Sequence, residues 1–171
     1  MDRATFSVAL PDKKLFHKYM EQACEATEEV LQGIPHRPPF LFVDRVLRLT
    51  DAEIVAERTL RAEEFFFKGH YPQQALMPGV LMCEAVFQTA GIWMSRTILK
   101  SDWMRHHMPV LIRIESAKFK QMAFPGDCLQ LVARFVQRMK DFYWFKGQVK
   151  QQDRVLVALE FVLGVVPRSD A

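Results

Sequence analysis

An α+β fold is what this sequence predicts: a six-stranded, mostly antiparallel sheet wrapped around one long buried helix. The run from Gly79 to about Leu99 is apolar on every side, through Val80, Leu81, Met82, Ala85, Val86, Phe87, Ile92 and Trp93. A helix of that kind is buried over most of its surface. Two strand-like runs precede it, Leu41–Leu49 and Glu53–Leu60, and four follow, Val110–Phe119, Leu129–Arg138, Phe142–Lys150 and Val155–Val166. Four consecutive strands with short turns imply a mostly antiparallel meander, and its simplest layered packing closes over the helix. At 171 residues, half of them hydrophobic, the chain has enough apolar surface for one such core.

The first element is an N-terminal helix over Asp12–Gln32. Asp12 caps it, Gly33 stops it, and Leu15, Tyr19, Ala23, Ala26 and Val30 form one apolar stripe. His17 and Glu21 share a face of it but lack a third ligand, so a solvated face is the expectation. Ile34–Phe40 holds Pro35, Pro38 and Pro39 and reads as a rigid extended connector. Thr50-Asp51 turns the first two strands. Pro78 stands where proline is favoured at a helix start, because its missing N–H costs nothing there. Pro125-Gly126-Asp127, Lys140-Asp141 and Gln152-Asp153 supply turn chemistry between the later strands. Ile112, Ile114 and Ser116 alternate with Arg113, Glu115 and Ala117, and Leu129, Leu131, Ala133 and Phe135 with Gln130, Val132 and Arg134. That period of two implies one buried and one partly polar face on each strand. The last strand is apolar on both faces, so a central or doubly covered position is expected. The chain divides into an N-terminal helical extension, 1–33, and a single domain, 34–171.

Composition excludes several functions. The formal net charge is +3 without a dense basic run, too mild for a nucleic-acid binder. No apolar run reaches the roughly 20 residues of a spanning helix. The start, Met1–Phe6, lacks an apolar secretory core, so a cytoplasmic location and no membrane partner are expected. Cys24, Cys83 and Cys128 are odd in number and lack close spacing, which argues against disulfides and a zinc site. His106-His107 reads as a surface turn, so no metal ligands are assigned.

One pair stands out. Between Lys68 and Arg96, His70 and Glu84 are the side chains suited to acid–base work at neutral pH. Glu84 sits about one and a half turns into the apolar helix, where a carboxylate is costly to bury. Desolvation raises the pKa of such an acid and leaves it able to donate a proton. A neutral histidine is a good general base. One acid and one base across a small ligand can eliminate or add water. Gly79 lies in the first helical turn, where free N–H groups and the helix dipole favour an oxygen that gains negative charge.

The segments Ile34-Pro35-His36-Arg37-Pro38-Pro39-Phe40-Leu41-Phe42-Val43-Asp44-Arg45-Val46, Phe67-Lys68-Gly69-His70-Tyr71-Pro72 and Met77 to Gln88 resemble those of the FabZ-type (3R)-hydroxyacyl-acyl carrier protein dehydratases. Ala117-Lys118-Phe119-Lys120, Pro125-Gly126-Asp127 and Phe145-Lys146-Gly147 match later blocks, so the likeness runs from about Ile34 to Val166. The resemblance implies a hotdog fold, lyase activity in fatty-acid or related lipid or polyketide synthesis, and no metal or redox cofactor. The substrate would ride on the phosphopantetheine arm of acyl carrier protein. It implies a homodimer, or a hexamer of three dimers, with histidine and glutamate of each site drawn from different subunits. His70 would take the C2 proton of a 3-hydroxyacyl thioester and Glu84 would protonate the departing C3 hydroxyl. The Gly79 N–H would hold the thioester carbonyl, and Gln88 would position groups near the acid. Related isomerising dehydratases carry Asp at the glutamate position, so Glu84 favours simple dehydration. Phe87 stands where the family has a smaller or more flexible residue, which bears on acyl-chain length. Arg138, Lys140 and Lys146 are the candidate docking rim for the acidic carrier. Two alternatives stay open: a hotdog acyl thioesterase, and a non-catalytic acyl-carrier-binding subunit.

Overall fold

The computed structural model describes residues 26–98 and 106–167. It opens on a short helix, α1 (Glu28–Gly33), with Thr27 before it in extended conformation at φ −66° and ψ 153°. The helix expected over Asp12–Gln32 is therefore not continuous to its end. Residues 12–25, with His17, Glu21 and Cys24, lie outside the described residues. Glu28 and Glu29 fill the first turn of α1, where the backbone dipole favours negative charge. Val30 is fully buried in the common core.

The connector that follows is not extended throughout. The Phe40 N–H donates to the Arg37 carbonyl at 3.0 Å, closing a turn around the cis Pro38-Pro39 peptide. Arg37 ties it back by donating to the Leu31, Ile34 and His36 carbonyls at 2.7 to 2.9 Å.

Six strands make the sheet: β1 (Arg45–Leu49), β2 (Glu53–Thr59), β3 (His107–Phe119), β4 (Cys128–Met139), β5 (Phe142–Gln151) and β6 (Arg154–Pro167). Their order is β1-β2-β4-β5-β6-β3, and every neighbouring pair is antiparallel. The meander thus covers β4 to β6, while β3 pairs with β6 at the far edge. The reason lies in the segment after β3. Lys120 and Gln121 donate to the Leu156 carbonyl at the start of β6. Farther along, the Gly126 N–H donates to the Leu60 carbonyl while the Leu60 N–H donates to the Asp127 carbonyl, which places Asp127 beside the end of β2. The Pro125-Gly126-Asp127 turn, with Gly126 at φ +91°, therefore ends a crossover and not a hairpin. His107, expected in a surface turn, is the first residue of β3.

The long helix is α2 (Gly79–Thr97). Every residue from Ala85 to Met94 is buried, as its all-round apolarity requires. The Trp93 ring stacks on Phe135 at 5.0 Å, and its N–H donates to the Thr50 carbonyl at 2.8 Å, so a buried donor is satisfied. Gly147 on β5 lets the helix approach the sheet closely: a Cβ there would stand 2.5 Å from Val86 Cγ1.

β6 lies between β5 and β3 and buries half of its length, in line with its apolar sequence. β3 differs from expectation. From Leu111 to Phe119 it is exposed on both faces, including Leu111, Ile112, Ile114 and Phe119. As an edge strand it pairs on one side only, and these side chains are left exposed in the single chain.

Candidate active site

His70 is placed by a short 3-10 turn, Phe65–Lys68, anchored by the buried Phe66 and Phe67. The His70 N–H donates to the Phe66 carbonyl at 3.0 Å. Its ring Nδ1 stands 3.0 Å from the Leu76 carbonyl oxygen. A carbonyl only accepts, so Nδ1 donates in that bond, and in the neutral ring Nε2 carries the lone pair. That is the tautomer a general base needs. Tyr71 follows at φ +54°, a conformation uncommon for a residue other than glycine. It is held by the Gln74 N–H on the Tyr71 carbonyl at 2.8 Å.

A buried ion network supports this loop from behind. Arg58, 4% exposed, donates to Asp44 Oδ1 at 2.8 Å and to Glu64, the residue just before the 3-10 turn. Asp44 Oδ2 also accepts the Thr59 N–H at 2.8 Å. The network joins the start of β1, the end of β2 and the approach to His70. None of its members stands out in the sequence, because a paired charge and a solvated one look alike there.

His70 and Gly79 line one open pocket of about 400 Å³ with Met77, Pro78, Val80 and Phe119. A Cβ on Gly79 would stand 2.7 Å from the Phe119 ring. The glycine thus admits a close neighbour above the first helical turn, where N–H groups lack helical acceptors.

Glu84 opens into a different cavity, about 300 Å³, lined by Ile34, His36, Phe87, Gly91 and Leu111 among others. Burial raises its pKa, and a hydrogen bond from Gln88 partly offsets the rise. Gln88 is 1% exposed. Its Oε1 accepts the Phe42 N–H at 2.8 Å, and its Nε2 donates to the Phe40 carbonyl at 3.1 Å and to Glu84 Oε1 at 3.0 Å. The connector thus fixes the amide orientation, and the amide always presents N–H to the acid. Phe87, one of the residues lining the cavity, packs its ring 4.7 Å from that of Phe161. His36, which pattern reading passes over as part of a proline-rich connector, has Nε2 3.7 Å from Glu84 Oε1.

The expected residues therefore fall into two sites on one chain. His70 shares a pocket with Gly79, and Glu84 a cavity with Gln88, and the two have no lining residue in common. Arg138 and Lys140 meet at the β4–β5 turn, where Arg138 donates to the Lys140 carbonyl at 2.7 Å. Lys146 instead lies 3.4 Å from Glu160, in a groove on the outer face of the sheet. Among the described residues no group of three or more His, Cys, Asp or Glu side chains could hold a metal ion, and no helix is long and apolar enough to cross a membrane. Burial pushes the Cys83 thiol up to about 11, so it stays protonated at neutral pH.

A family model described as a FabA-like domain matches residues 34–162. The chain is 35% identical over 138 residues to a 3-hydroxyacyl-[acyl-carrier-protein] dehydratase FabZ of Petrotoga mobilis, covering 81% of this chain and 96% of the relative. It is 40% identical over 111 residues to the protein of the same name from Streptococcus equi subsp. zooepidemicus, covering 65% and 76%. Among solved structures, the dehydratase heterocomplex ApeI:P of Xenorhabdus doucetiae superposes with a TM-score of 0.65 at 17% identity, covering 82% of this chain and 91% of that one. The PaaI protein of E. coli superposes at 0.54 and 14% identity, covering 70% and 81%. These last two share the hotdog fold. The family match takes in the histidine loop, the acid-bearing helix and five of the six strands whole, so the chain belongs to the FabA-like family, among its FabZ-type 3-hydroxyacyl-[acyl-carrier-protein] dehydratases.

Proposed function

We propose that this chain dehydrates (3R)-hydroxyacyl thioesters of acyl carrier protein to trans-2-enoyl thioesters, with His70 as base and Glu84 of a second copy as acid. The observation that carries the division of labour is the separation of His70 and Glu84 into two cavities that share no residue. His70 Nε2 takes the C2 proton. The electron pair moves toward the thioester oxygen, which the Gly79 N–H receives, and returns to form the C2–C3 double bond. The C3–O bond breaks, and the departing hydroxyl leaves as water with the proton of Glu84. Gln88 holds Glu84 Oε1, so the transferable proton sits on Oε2.

Assembly belongs to the same reading. β3 ends the sheet with an unpaired edge and exposed Leu111, Ile112, Ile114 and Phe119. An apolar edge of this kind favours pairing with a second strand. Two copies joined there, alone or as three such dimers, would set one subunit's His70 pocket against the other's Glu84 cavity, since both cavities touch β3. The chemistry calls for no metal or redox cofactor, and we place the enzyme in the cytoplasm with its carrier. We assign Arg138, Lys140 and Lys146 to carrier docking. Charge reversal at Lys140 and Lys146 should raise KM for the carrier-bound substrate and leave turnover of a pantetheine thioester unchanged.

The activity is tested by supplying 3-hydroxyacyl carrier thioesters of several lengths and following the 2-enoyl product. Formation of enoyl thioester is the expected result. Release of free thiol without enoyl product would support a thioesterase instead.

A further inference from the structure

His36 has no task in the chemistry above, yet it stands against the acid. Its Nε2 lies 3.7 Å from Glu84 Oε1, the oxygen that already accepts the Gln88 N–H. Its Nδ1 is buried without a hydrogen-bond partner, which is costly for a polar atom. Gln88 is fully engaged by Phe40, Phe42 and Glu84, so it has no spare donor when the acid becomes an anion. Among residues lining the cavity, His36 and Glu84 are the titratable ones; β3 and β6 contribute Met108, Pro109, Val110, Leu111 and Leu163. Arg37 is the next charge along the connector, and its guanidinium is held on backbone carbonyls. Burial, with Arg37 beside it, weakens the hold of His36 on a second proton, so the ring is neutral at neutral pH and carries one N–H.

A separation of 3.7 Å is too long for a hydrogen bond. Catalytic hydrogen bonds in free enzymes are often long, however, and tighten during the reaction. A ring whose Nδ1 bonds nothing gives up nothing there by turning.

We propose that His36 is a positioning residue for Glu84: its neutral Nε2–H closes onto Glu84 Oε1 as the carboxyl ionises, so that Oε2 alone faces the substrate oxygen. No proton leaves His36. The proton of Glu84 Oε2 goes to the departing hydroxyl, and the charge left behind is shared by two donors on Oε1, from Gln88 and His36. The proposal rests on Glu84 acting as the acid.

The test compares His36→Phe, which keeps the bulk and burial of the ring without its nitrogens, with His36→Gln, which keeps an N–H of similar reach. Ionisation of Glu84 is followed by infrared titration of its carboxyl stretch in full-length protein without substrate, assigned by Glu84→Gln. Loss of the donor should raise the ionisation midpoint by about one pH unit in His36→Phe, and His36→Gln should restore it. With substrate, kcat of His36→Phe should fall about tenfold with KM within about twofold, and His36→Gln should recover most of kcat. An unmoved midpoint in His36→Phe, or a His36→Gln that behaves like His36→Phe, would overturn the proposal. Because the midpoint is read without substrate, it decides this point separately from the assay for enoyl product.

Discussion

Glu84, the proposed acid, works against the fold that holds it. Its carboxyl has a raised pKa in the folded chain, so it binds its proton more tightly folded than unfolded. By linkage its contribution to stability is greatest below the ordinary carboxylate pKa and is lost as pH rises through the raised folded value. Glu84→Gln keeps the shape and the acceptor for Gln88 but removes the charge. Its melting temperature should exceed that of the unaltered protein at pH 8, and the difference should shrink toward pH 4. In the same variant kcat should fall about 10²- to 10⁴-fold, the usual range for loss of a general acid, and His70→Ala should fall as far. The raised pKa also places the alkaline limb of the kcat profile above the usual carboxylate range, because the acid must be protonated to act. His70 and Glu84 were legible in the sequence because each is a polar exception in an apolar stretch. His36 was not, because its meaning depends on Glu84 reaching it from a distant part of the chain.

Elements are positioned by contacts that carry no chemistry of their own. Arg58 holds Asp44 and Glu64 together behind the histidine loop. Arg58→Ala leaves two buried carboxylates without their main cation, a loss of about 3 to 5 kcal/mol. Denaturant titration should find it, and activity should drop although Arg58 lies outside the pocket that His70 lines. Gly147 lets α2 lie close on β5, and a Cβ there meets Val86 at 2.5 Å and Leu159 at 3.0 Å. Gly147→Ala should therefore destabilise by about 1 to 3 kcal/mol, as overpacked cores do. Strand spans and the buried helix followed from periodicity, which is a local property. Strand order did not, since the segment after β3 carries short turn chemistry yet runs across the end of the sheet from β6 to β2. The exposure of β3 has the same origin: alternation marks a strand that some surface will cover, but not which surface.

At the scale of the whole molecule, one chain holds the proposed base and the proposed acid in separate cavities. The proposed base, His70, is set by the 3-10 turn and the Leu76 carbonyl, and the proposed acid, Glu84, by the connector through Gln88. β3 touches both cavities and leaves apolar side chains uncovered. In this view the active unit contains at least two copies, and the apolar edge of β3 joins them. Leu111→Glu with Ile114→Glu should weaken association in analytical ultracentrifugation and lower activity at micromolar concentration, with activity regained as concentration rises. The most direct measurement mixes two inactive variants, His70→Ala and Glu84→Gln, after unfolding and refolding them together. If each site takes its base and acid from different chains, a mixed dimer keeps one intact site, and random pairing should restore about a quarter of the unaltered activity. Recovery at that level is the result expected. A mixture no more active than either variant alone, in a preparation shown to contain mixed dimers, would contradict the shared site.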